Sequence, residues 1–360
     1  MGDKSAIEWT DATWNPITGC SRVSEGCRHC YAERFAHRFS APGQRYEGLT
    51  VLSNGHPTWT GKIQFNEKAL LLPLRWKRPR RVFVNSMSDL FHEHVTDEQR
   101  DRIFAVMGLT PWHTYQILTK RPGEMRDYIA SRTMAEMLRK DLEDYAVEYA
   151  KSPCAAAMFD NWPLRNVWLG VSVEDQPAAD DRVPLLLQTP AAVRFLSCEP
   201  LLGPLGLSKW IGVDFAVNTR DCEPMKPRTA ELLGKMAAAA FRHAGGAAVD
   251  WVIVGGESGP GARPMHPDWA RSLRDQCQAA GVPFFFKQWG EWAPKPRREN
   301  LPGKPTMYCT GDALLTREGK IESYESCGGI GNHAVMERAG KKAAGALLDG
   351  REWKQYPEAR

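Results

Sequence analysis

Short runs of β-branched and aromatic residues recur along the chain, and each closes on a polar or glycine-containing cluster. Arg81-Val-Phe-Val-Asn85 leads into Ser86-Met-Ser-Asp89, His113-Thr-Tyr-Gln-Ile-Leu118 into Thr119-Lys-Arg121, and Val167-Trp-Leu-Gly-Val171 into Ser172-Val-Glu174. Val193-Arg-Phe-Leu196 leads into Ser197-Cys-Glu-Pro200, Asp250-Trp-Val-Ile-Val254 into Gly255-Gly-Glu-Ser-Gly259, and Val282-Pro-Phe-Phe-Phe286 into Lys287-Gln-Trp-Gly290. With the segment before Cys20, these runs predict about seven strands. Helix-compatible stretches separate most of them, among them Thr96 to Met107 and Pro267 to Ala280. Near-continuous apolar strands alternating with helices predict a parallel sheet covered on both faces. The fold class is therefore α/β, a partial TIM-like (β/α) barrel with helical and loop insertions. A doubly wound open sheet is the alternative that strand count leaves standing.

A barrel takes about 250 residues, and the chain has 360. The surplus falls into insertions near 133–166 and 207–248 and a tail after Gly290. The expected organisation is a barrel over 1–290, with a loop-rich extension over 291–360 packed on it. The first insertion, around Arg139-Lys-Asp-Leu-Glu-Asp144, reads as a solvated helical hairpin on the barrel rim. A chain that is 42% hydrophobic and 25% charged is neither a membrane channel, a collagen-like fibre nor a wholly disordered segment. No apolar run nears the ~18 residues of a membrane span, and the opening MGDKSAIEWTDATW has no signal-peptide core. A cytoplasmic protein without a membrane partner is expected.

Nine cysteines, an odd number in a chain without a leader, argue against a disulfide framework. Cys154, Cys198, Cys222, Cys277, Cys309 and Cys327 are scattered, whereas Cys20, Cys27 and Cys30 fall within eleven residues with the spacing Cys-x6-Cys-x2-Cys. Three thiolates on one short loop can face one metal centre, with Gly19 and Gly26 letting the backbone wrap around it. Tyr31, Phe35 and Phe39 follow at i, i+4 and i+8 and predict a helix anchored on the core by those rings. Three readings of the loop stand: unrelated thiols, a structural zinc completed by His29 or His37, or an iron–sulfur cluster with one iron lacking a protein ligand.

The residues also carry a resemblance. Trp14-Asn-Pro-Ile-Thr-Gly-Cys20, Gly26-Cys-Arg-His-Cys-Tyr-Ala32, Val84-Asn-Ser-Met-Ser-Asp-Leu-Phe91, Leu118-Thr-Lys-Arg-Pro122, Leu169-Gly-Val-Ser-Val-Glu174, Val254-Gly-Gly-Glu-Ser-Gly259 and Phe286-Lys-Gln-Trp-Gly290 resemble segments of an uncharacterised phage- and prophage-associated three-Cys-motif family. That family is in turn similar to radical S-adenosylmethionine (SAM) enzymes, in particular the branch containing spore photoproduct lyase. The commonest spacing in that superfamily is Cys-x3-Cys-x2-Cys; here the first gap holds six residues, while the final Cys-x2-Cys and its following aromatic, Tyr31, are kept.

The resemblance implies a 4Fe–4S cluster on Cys20, Cys27 and Cys30, with SAM chelated at the open iron and cleaved to a 5′-deoxyadenosyl radical by an electron from an external donor. It also implies polar groups converging on one mouth. Ser86, Asp89, Lys120, Arg121, Ser172, Glu174, Glu199, Glu257, Ser258, Lys287 and Gln288 stand at strand ends to supply them. Tyr31, Ser86, Asp89, Lys120, Ser172, Gly255, Gly256, Glu257 and Ser258 are the expected cofactor contacts. The Gly255-Gly-Glu-Ser turn would bring backbone N–H groups to a ribose or carboxylate, with Glu257 accepting from hydroxyls. Glu174, Glu199 and Lys287 are the expected catalytic residues.

Net charge is only +4, which limits any nucleic-acid contact to a patch. Arg75-Trp-Lys-Arg-Pro-Arg-Arg81 is the candidate: Arg75, Lys77, Arg78, Arg80 and Arg81 to neutralise phosphates, Trp76 to stack on a base. Lys295, Arg297, Arg298 and Lys304 add cations near Trp289 and Trp292. A nucleic acid or nucleotide-like substrate follows as an expectation, and a separately encoded partner protein stays open. The alternative function is a non-enzymatic nucleic-acid-binding protein with a structural metal, zinc or iron–sulfur, at the three-Cys loop. Neither G-x-S-x-G nor H-E-x-x-H occurs, so hydrolytic triads and zinc-protease helices find no support.

Overall fold

A computed structural model of the chain describes residues 5–133, 162–212, 236, 246–295, 313–322 and 333–358. Seven strands form one parallel sheet: β1 (Ala12–Trp14), β2 (Arg81–Val84), β3 (Thr114–Thr119), β4 (Val167–Ser172), β5 (Val193–Cys198), β6 (Trp251–Gly255) and β7 (Phe284–Gln288). Their order in the sheet is their order in the chain. That excludes the doubly wound alternative, whose strand order reverses at a switch point. Among the described residues no pairing joins β7 back to β1, so the sheet is the partial (β/α) barrel that the alternation predicts. Trp14 stands opposite Val84, Val84 opposite Ile117, and Leu118 opposite Gly170. Every residue of β4 and of β6 is buried, which is why both read as uninterrupted apolar runs.

Helices α1 (Tyr31–His37), α2 (Asp97–Leu109), α3 (Pro122–Ala130), α4 (Gln176–Gln188) and α5 (Pro267–Ala280) lie between the strands. Local chemistry sets the ends of two of them. Thr96 and Gln99 form a reciprocal capping box at the start of α2. Pro267 opens α5, and Gly281 closes it in the left-handed conformation.

The chain divides into two compact units. The first comprises Met1–Ser172, Arg182–Phe195 and Glu358–Arg360, and the second Val173–Asp181 and Leu196–Pro357. The first unit buries Trp14, Tyr115 and Phe104, and Trp14 Nε1 donates to the Ala69 carbonyl at 2.7 Å. The second buries Trp251 and Phe284, Phe285 and Phe286. There the Phe286 N–H donates to the Trp353 carbonyl at 2.8 Å and the Gln355 N–H to that of Phe284 at 3.2 Å. A late segment of the chain thus covers the outer edge of β7, which would otherwise expose a row of unpaired backbone groups.

Two expectations are corrected. The tail after Gly290 is not loops alone: strands Ala293–Pro294, Ala334–Glu337, Ala313–Leu315 and Ile321–Glu322 form a four-stranded antiparallel sheet in that order. Runs of two to four residues are too short for their alternation to show in the sequence. Nor do the rings at 31, 35 and 39 anchor α1. Tyr31 is 53% exposed, Phe35 46% and Phe39 44%, and α1 buries Ala32, Glu33 and Ala36 instead. Its two alanines let the helix pack closely with Tyr46, Leu49, Trp59 and Met87, and the Glu33 carboxylate is satisfied by Arg22 at 2.7 Å and by the Trp59 N–H at 3.1 Å.

Most of both insertions lies outside the described residues, including Arg139 to Asp144, as do Cys154, Cys222, Cys309, Cys327, Arg297, Arg298 and Lys304. Among the described residues no helix is long and apolar enough to cross a membrane.

Gly170 in β4 offers a direct test of this packing. A Cβ there would stand 2.5 Å from ring atoms of Phe195. Gly170→Ala should cost roughly 1–3 kcal/mol by overpacking. Denaturant titration reads this, and unchanged stability would show that the ring is not held against the strand.

Candidate functional site

The three-cysteine loop grows out of β1. Ile17–Thr18 pairs with Gln64–Phe65, and Gly19 donates its N–H to the Met87 carbonyl at 3.1 Å. Gly19 has φ +98°, and a Cβ there would lie 2.2 Å from the Lys62 carbonyl oxygen, so only glycine fits. Gly26 plays a different part from the one expected, since it sits inside a short 3₁₀ turn, Glu25–Cys27. The Cys30 N–H then donates to the Cys27 carbonyl at 3.3 Å, which sets these two cysteines one tight turn apart. Cys20 and Cys30 pack against the apolar cluster beneath α1. Burial, foremost, pushes the Cys20 thiol up to about 12 and also raises Cys30.

Ser21 ties this loop to the ends of β2 and β3. Its hydroxyl accepts from Arg121 Nη2 at 2.7 Å and donates to Glu93 Oε1 at 3.2 Å. His92, wholly buried, stands with Nε2 at 3.0 Å from the same hydroxyl. Burial first, then the charge of Arg121, holds the His92 pKa below its usual value, so the ring is neutral. Its Nδ1 accepts the His94 N–H at 3.1 Å, which places the proton on Nε2 and makes Ser21 the acceptor.

The Arg121 guanidinium, 7% exposed, also donates to Asp89 at 3.1 Å and Glu93 at 3.1 Å, and its Nη1 approaches Cys20 Sγ at 3.9 Å. Asp89 accepts further from Thr119 Oγ1 at 2.7 Å and from the Lys120 N–H at 3.1 Å. Lys120 Nζ donates to Ser172 Oγ at 2.9 Å, and Tyr31 donates its hydroxyl proton to the Ser86 carbonyl at 2.8 Å. The first unit therefore brings together Cys20, Cys27, Cys30, Tyr31, Ser86, Asp89, Lys120 and Ser172.

The second unit holds the remaining strand ends. Glu199 accepts from Lys287 Nζ at 2.7 and 2.9 Å and from Gln288 Nε2 at 3.4 Å. Gly255 faces this pair, with a Cβ there 3.2 Å from Glu199 Cδ. Gly256 is required by a different contact, as its Cβ would fall 1.9 Å from the Trp289 carbonyl oxygen. Both glycines thus permit close packing. The Glu257 carboxylate is engaged by the Arg263 side chain at 2.7 and 3.0 Å and by the Arg263 N–H at 2.8 Å, so it orders its own loop. Ser258 is half-buried in that loop, and Glu174 is buried at the end of β4.

The basic segment is partly committed. Arg81 pairs with Asp11 at 2.9 Å, and the Arg80 guanidinium lies 4.9 Å over the Trp76 ring. Arg75, Lys77 and Arg78 are exposed and Trp76 is half-buried.

Residues 4–357 match the family described as "Protein of unknown function (DUF5131)". The chain belongs to the DUF5131 family. No curated protein matches it in sequence. Two solved structures of spore photoproduct lyase, a cysteine-to-serine and a tyrosine-to-phenylalanine mutant, are similar to it over 94% and 90% of this chain and 72% and 67% of theirs. Their identities are 11% and 10%, and their TM-scores 0.37 and 0.32.

The candidate donors of this DUF5131 chain are three free thiols on one loop. Among the described residues no three His, Cys, Asp or Glu side chains gather closely enough to hold one metal ion. Zinc, at about 2.3 Å from each sulfur, needs its thiolates within roughly 4 Å of one another. His37, one candidate fourth ligand, is bonded through Nδ1 to Thr50 Oγ1 at 3.2 Å. Thiols on one loop are a donor type that both zinc and an iron–sulfur cubane take. Asn85, 3% exposed at the end of β2, has neither amide atom hydrogen-bonded. Such a group is costly to bury unpaired and marks a place where a polar ligand fits. Gln288 Oε1 in the second unit is likewise a buried acceptor without a bond.

Ser21, Asn85, His92 and Glu93 were not among the expected contacts, and Arg121 was expected only as one charged strand end. All but Ser21 and His92 to Glu93 lie within the motif segments quoted above, but their roles depend on partners far apart in the chain.

Two measurements probe the loop. In the cluster-free protein a Cys20 thiol near 12 rather than near 9 leaves about a thousandfold less thiolate at pH 8. Alkylation followed by peptide mass spectrometry should find Cys20 that much slower than in the unfolded chain, and about tenfold faster for each pH unit up to 12. Equal rates folded and unfolded would contradict the burial. Arg121→Leu breaks a buried ion pair and should cost about 3–5 kcal/mol. Glu93→Gln, on a half-exposed side chain, should cost under about 1 kcal/mol. Denaturant titration reads both.

Proposed function

We propose that the chain is an iron–sulfur, radical-SAM-like enzyme that holds a 4Fe–4S cluster on Cys20, Cys27 and Cys30. The observation that carries this reading is the loop itself: three thiols, two of them desolvated, on one loop locked in place through Ser21. When bound, such a cluster supplies an iron with an open position for SAM and the electron that cleaves it.

The chain's own residues do the rest. Arg121 sets a positive charge beside the Cys20 sulfur, which favours its thiolate once a metal takes the proton's place. Lys120 on Ser172 and the amide of Asn85 offer donors and an acceptor at strand ends of the first unit. Lys287 and Glu199 form a matched cation and anion in the second, where Gln288 has an unmet acceptor. These groups are suited to orienting an amino acid or nucleoside moiety through directed hydrogen bonds. Glu174, Glu199 and Lys287 remain the proposed catalytic residues.

The proposed substrate is a nucleic acid or nucleotide-like molecule, modified or repaired in the cytoplasm with an external donor supplying the electron. Exposed Arg75, Lys77 and Arg78 support that class. Arg81 is spent on Asp11, so no observation favours the alternative of a binding module built on this segment alone.

The test is SAM cleavage. The anaerobically reconstituted, dithionite-reduced chain should release 5′-deoxyadenosine and methionine. Cys20→Ala, Cys27→Ala and Cys30→Ala should each abolish release, and Lys287→Met should lower it without changing iron content. A chain with full iron and sulfide that releases none would overturn the reading.

A further inference from the structure

Within the first unit, the basic segment lies at the opposite end of its strands from the three-cysteine loop. Arg81 opens β2 and stands in register with Thr114, which opens β3. The far ends of the same two strands run into Ser86–Asp89 and Thr119–Arg121, where Arg121 meets Ser21 and Asp89. The six residues of β3 set roughly 15–20 Å between the two ends. At the near end, residues 73–80 pack on residues 111–114. The Trp112 indole N–H donates to the Trp76 carbonyl at 3.2 Å, and the Thr114 N–H donates to the Arg80 carbonyl at 2.8 Å.

The rings at this end are not equivalent. His113, 1% exposed, meets Trp76 at 5.7 Å and Trp112 at 5.6 Å between centroids, both edge to face, and so holds the two indoles on one buried imidazole. The Arg80 guanidinium covers the Trp76 ring at 4.9 Å, so the ring that the sequence offers for stacking is already engaged. Trp112 is the most exposed of the thirteen tryptophans, at 38%. Around it the charge has one sign. Six lysines and arginines and no carboxylate lie between Glu67 and Asp89. Arg75, Lys77 and Arg78 are exposed and, among the described residues, pair with no carboxylate.

We propose that this end of the first unit is an anchor for single-stranded nucleic acid, remote from the cysteine loop, in which Arg75, Lys77 and Arg78 hold phosphates and a base stacks on Trp112. It rests on the substrate class proposed above and not on the cluster. A flat exposed ring among cations is the pairing that single strands use, because an unpaired base offers its face while its phosphates stay within reach of the side chains. A duplex keeps its bases stacked inside and has no face to give. No large aliphatic side chain of residues 73–80 or 111–114 is exposed beside Trp112, so an acidic protein would find charge there without an apolar centre to bury. The place of the anchor also sets the size of the substrate. A strand held there reaches the cysteine loop only by running on for about five nucleotides or more, at a rise of roughly 3.4 Å each. The substrate is therefore a polynucleotide and not a mononucleotide.

The test is fluorescence anisotropy of a labelled oligothymidylate of about twenty nucleotides, titrated with the full chain over a range of salt. Trp112→Ala should weaken binding about tenfold and leave the slope of log K against log salt unchanged, and Trp112→Phe should restore most of the loss. Arg75→Ala/Lys77→Ala/Arg78→Ala should weaken binding and make that slope shallower by about two. The altered side chains are exposed, so an unchanged circular dichroism melt should accompany each loss. A duplex of the same length should bind more weakly and be indifferent to Trp112→Ala. Absence of oligonucleotide binding overturns the proposal. So does a Trp112→Ala chain that binds like the native one while the triple variant does not, since the patch would then be a surface for any polyanion. Equal dependence of the duplex on Trp112 overturns it as well. Anchored binding by a chain that releases no 5′-deoxyadenosine from SAM would defeat the enzyme reading and leave the anchor standing; release by a chain that binds no oligonucleotide would do the reverse.

Discussion

The guanidinium of Arg121 sits almost out of water at the end of β3 and reaches Asp89, Glu93, the Ser21 hydroxyl and the sulfur of Cys20. A buried cation is tolerable only when its donors are met with good geometry, and here they are met from two separate stretches of chain, Cys20–Ser21 and Asp89–Glu93. The loop after β1, the loop after β2 and the start of α3 are therefore fixed relative to one another by a single side chain. Position of the cysteine loop is a consequence of that constraint. Had Arg121 been an exposed pair on the surface, the loop would owe its geometry to little more than its own 3₁₀ turn.

Around this clamp the chain sets up two opposed conditions. Burial of the Cys20 and Cys30 thiols favours their protonated forms. The nearby charge of Arg121 acts in the opposite sense on Cys20, favouring its thiolate. By using Ala32 and Ala36 for close packing, α1 leaves its rings exposed.

Much of the fold was legible in the sequence because buried parallel strands are apolar runs: six of the seven fall within two residues of their predicted runs, and the first lies in the segment before Cys20. Helix α5 was found at both ends, since Pro267 and Gly281 carry unambiguous backbone preferences. The face of α1 was misread because rings at 31 and 35 and alanines at 32 and 36 share one period, and a seven-residue helix gives too few turns to choose. Bulk pointed to the rings, whereas close approach to the neighbouring hairpin selected the alanines. The close approach of Gly255 to Glu199 and of Gly256 to the Trp289 carbonyl had no signal in the sequence. The Ser21 knot was beyond sequence reasoning, since Ser21 lies 71 residues from His92 and 100 from Arg121. The cysteine triplet itself was plain, because its ligands are local.

The central claim is that three cysteines hold an iron–sulfur cluster, and the content of iron and acid-labile sulfide in anaerobically purified protein tests it most directly. The account predicts about four of each per chain, lost together when any of Cys20, Cys27 or Cys30 becomes alanine. One zinc per chain without sulfide, or metal indifferent to those three cysteines, would contradict it.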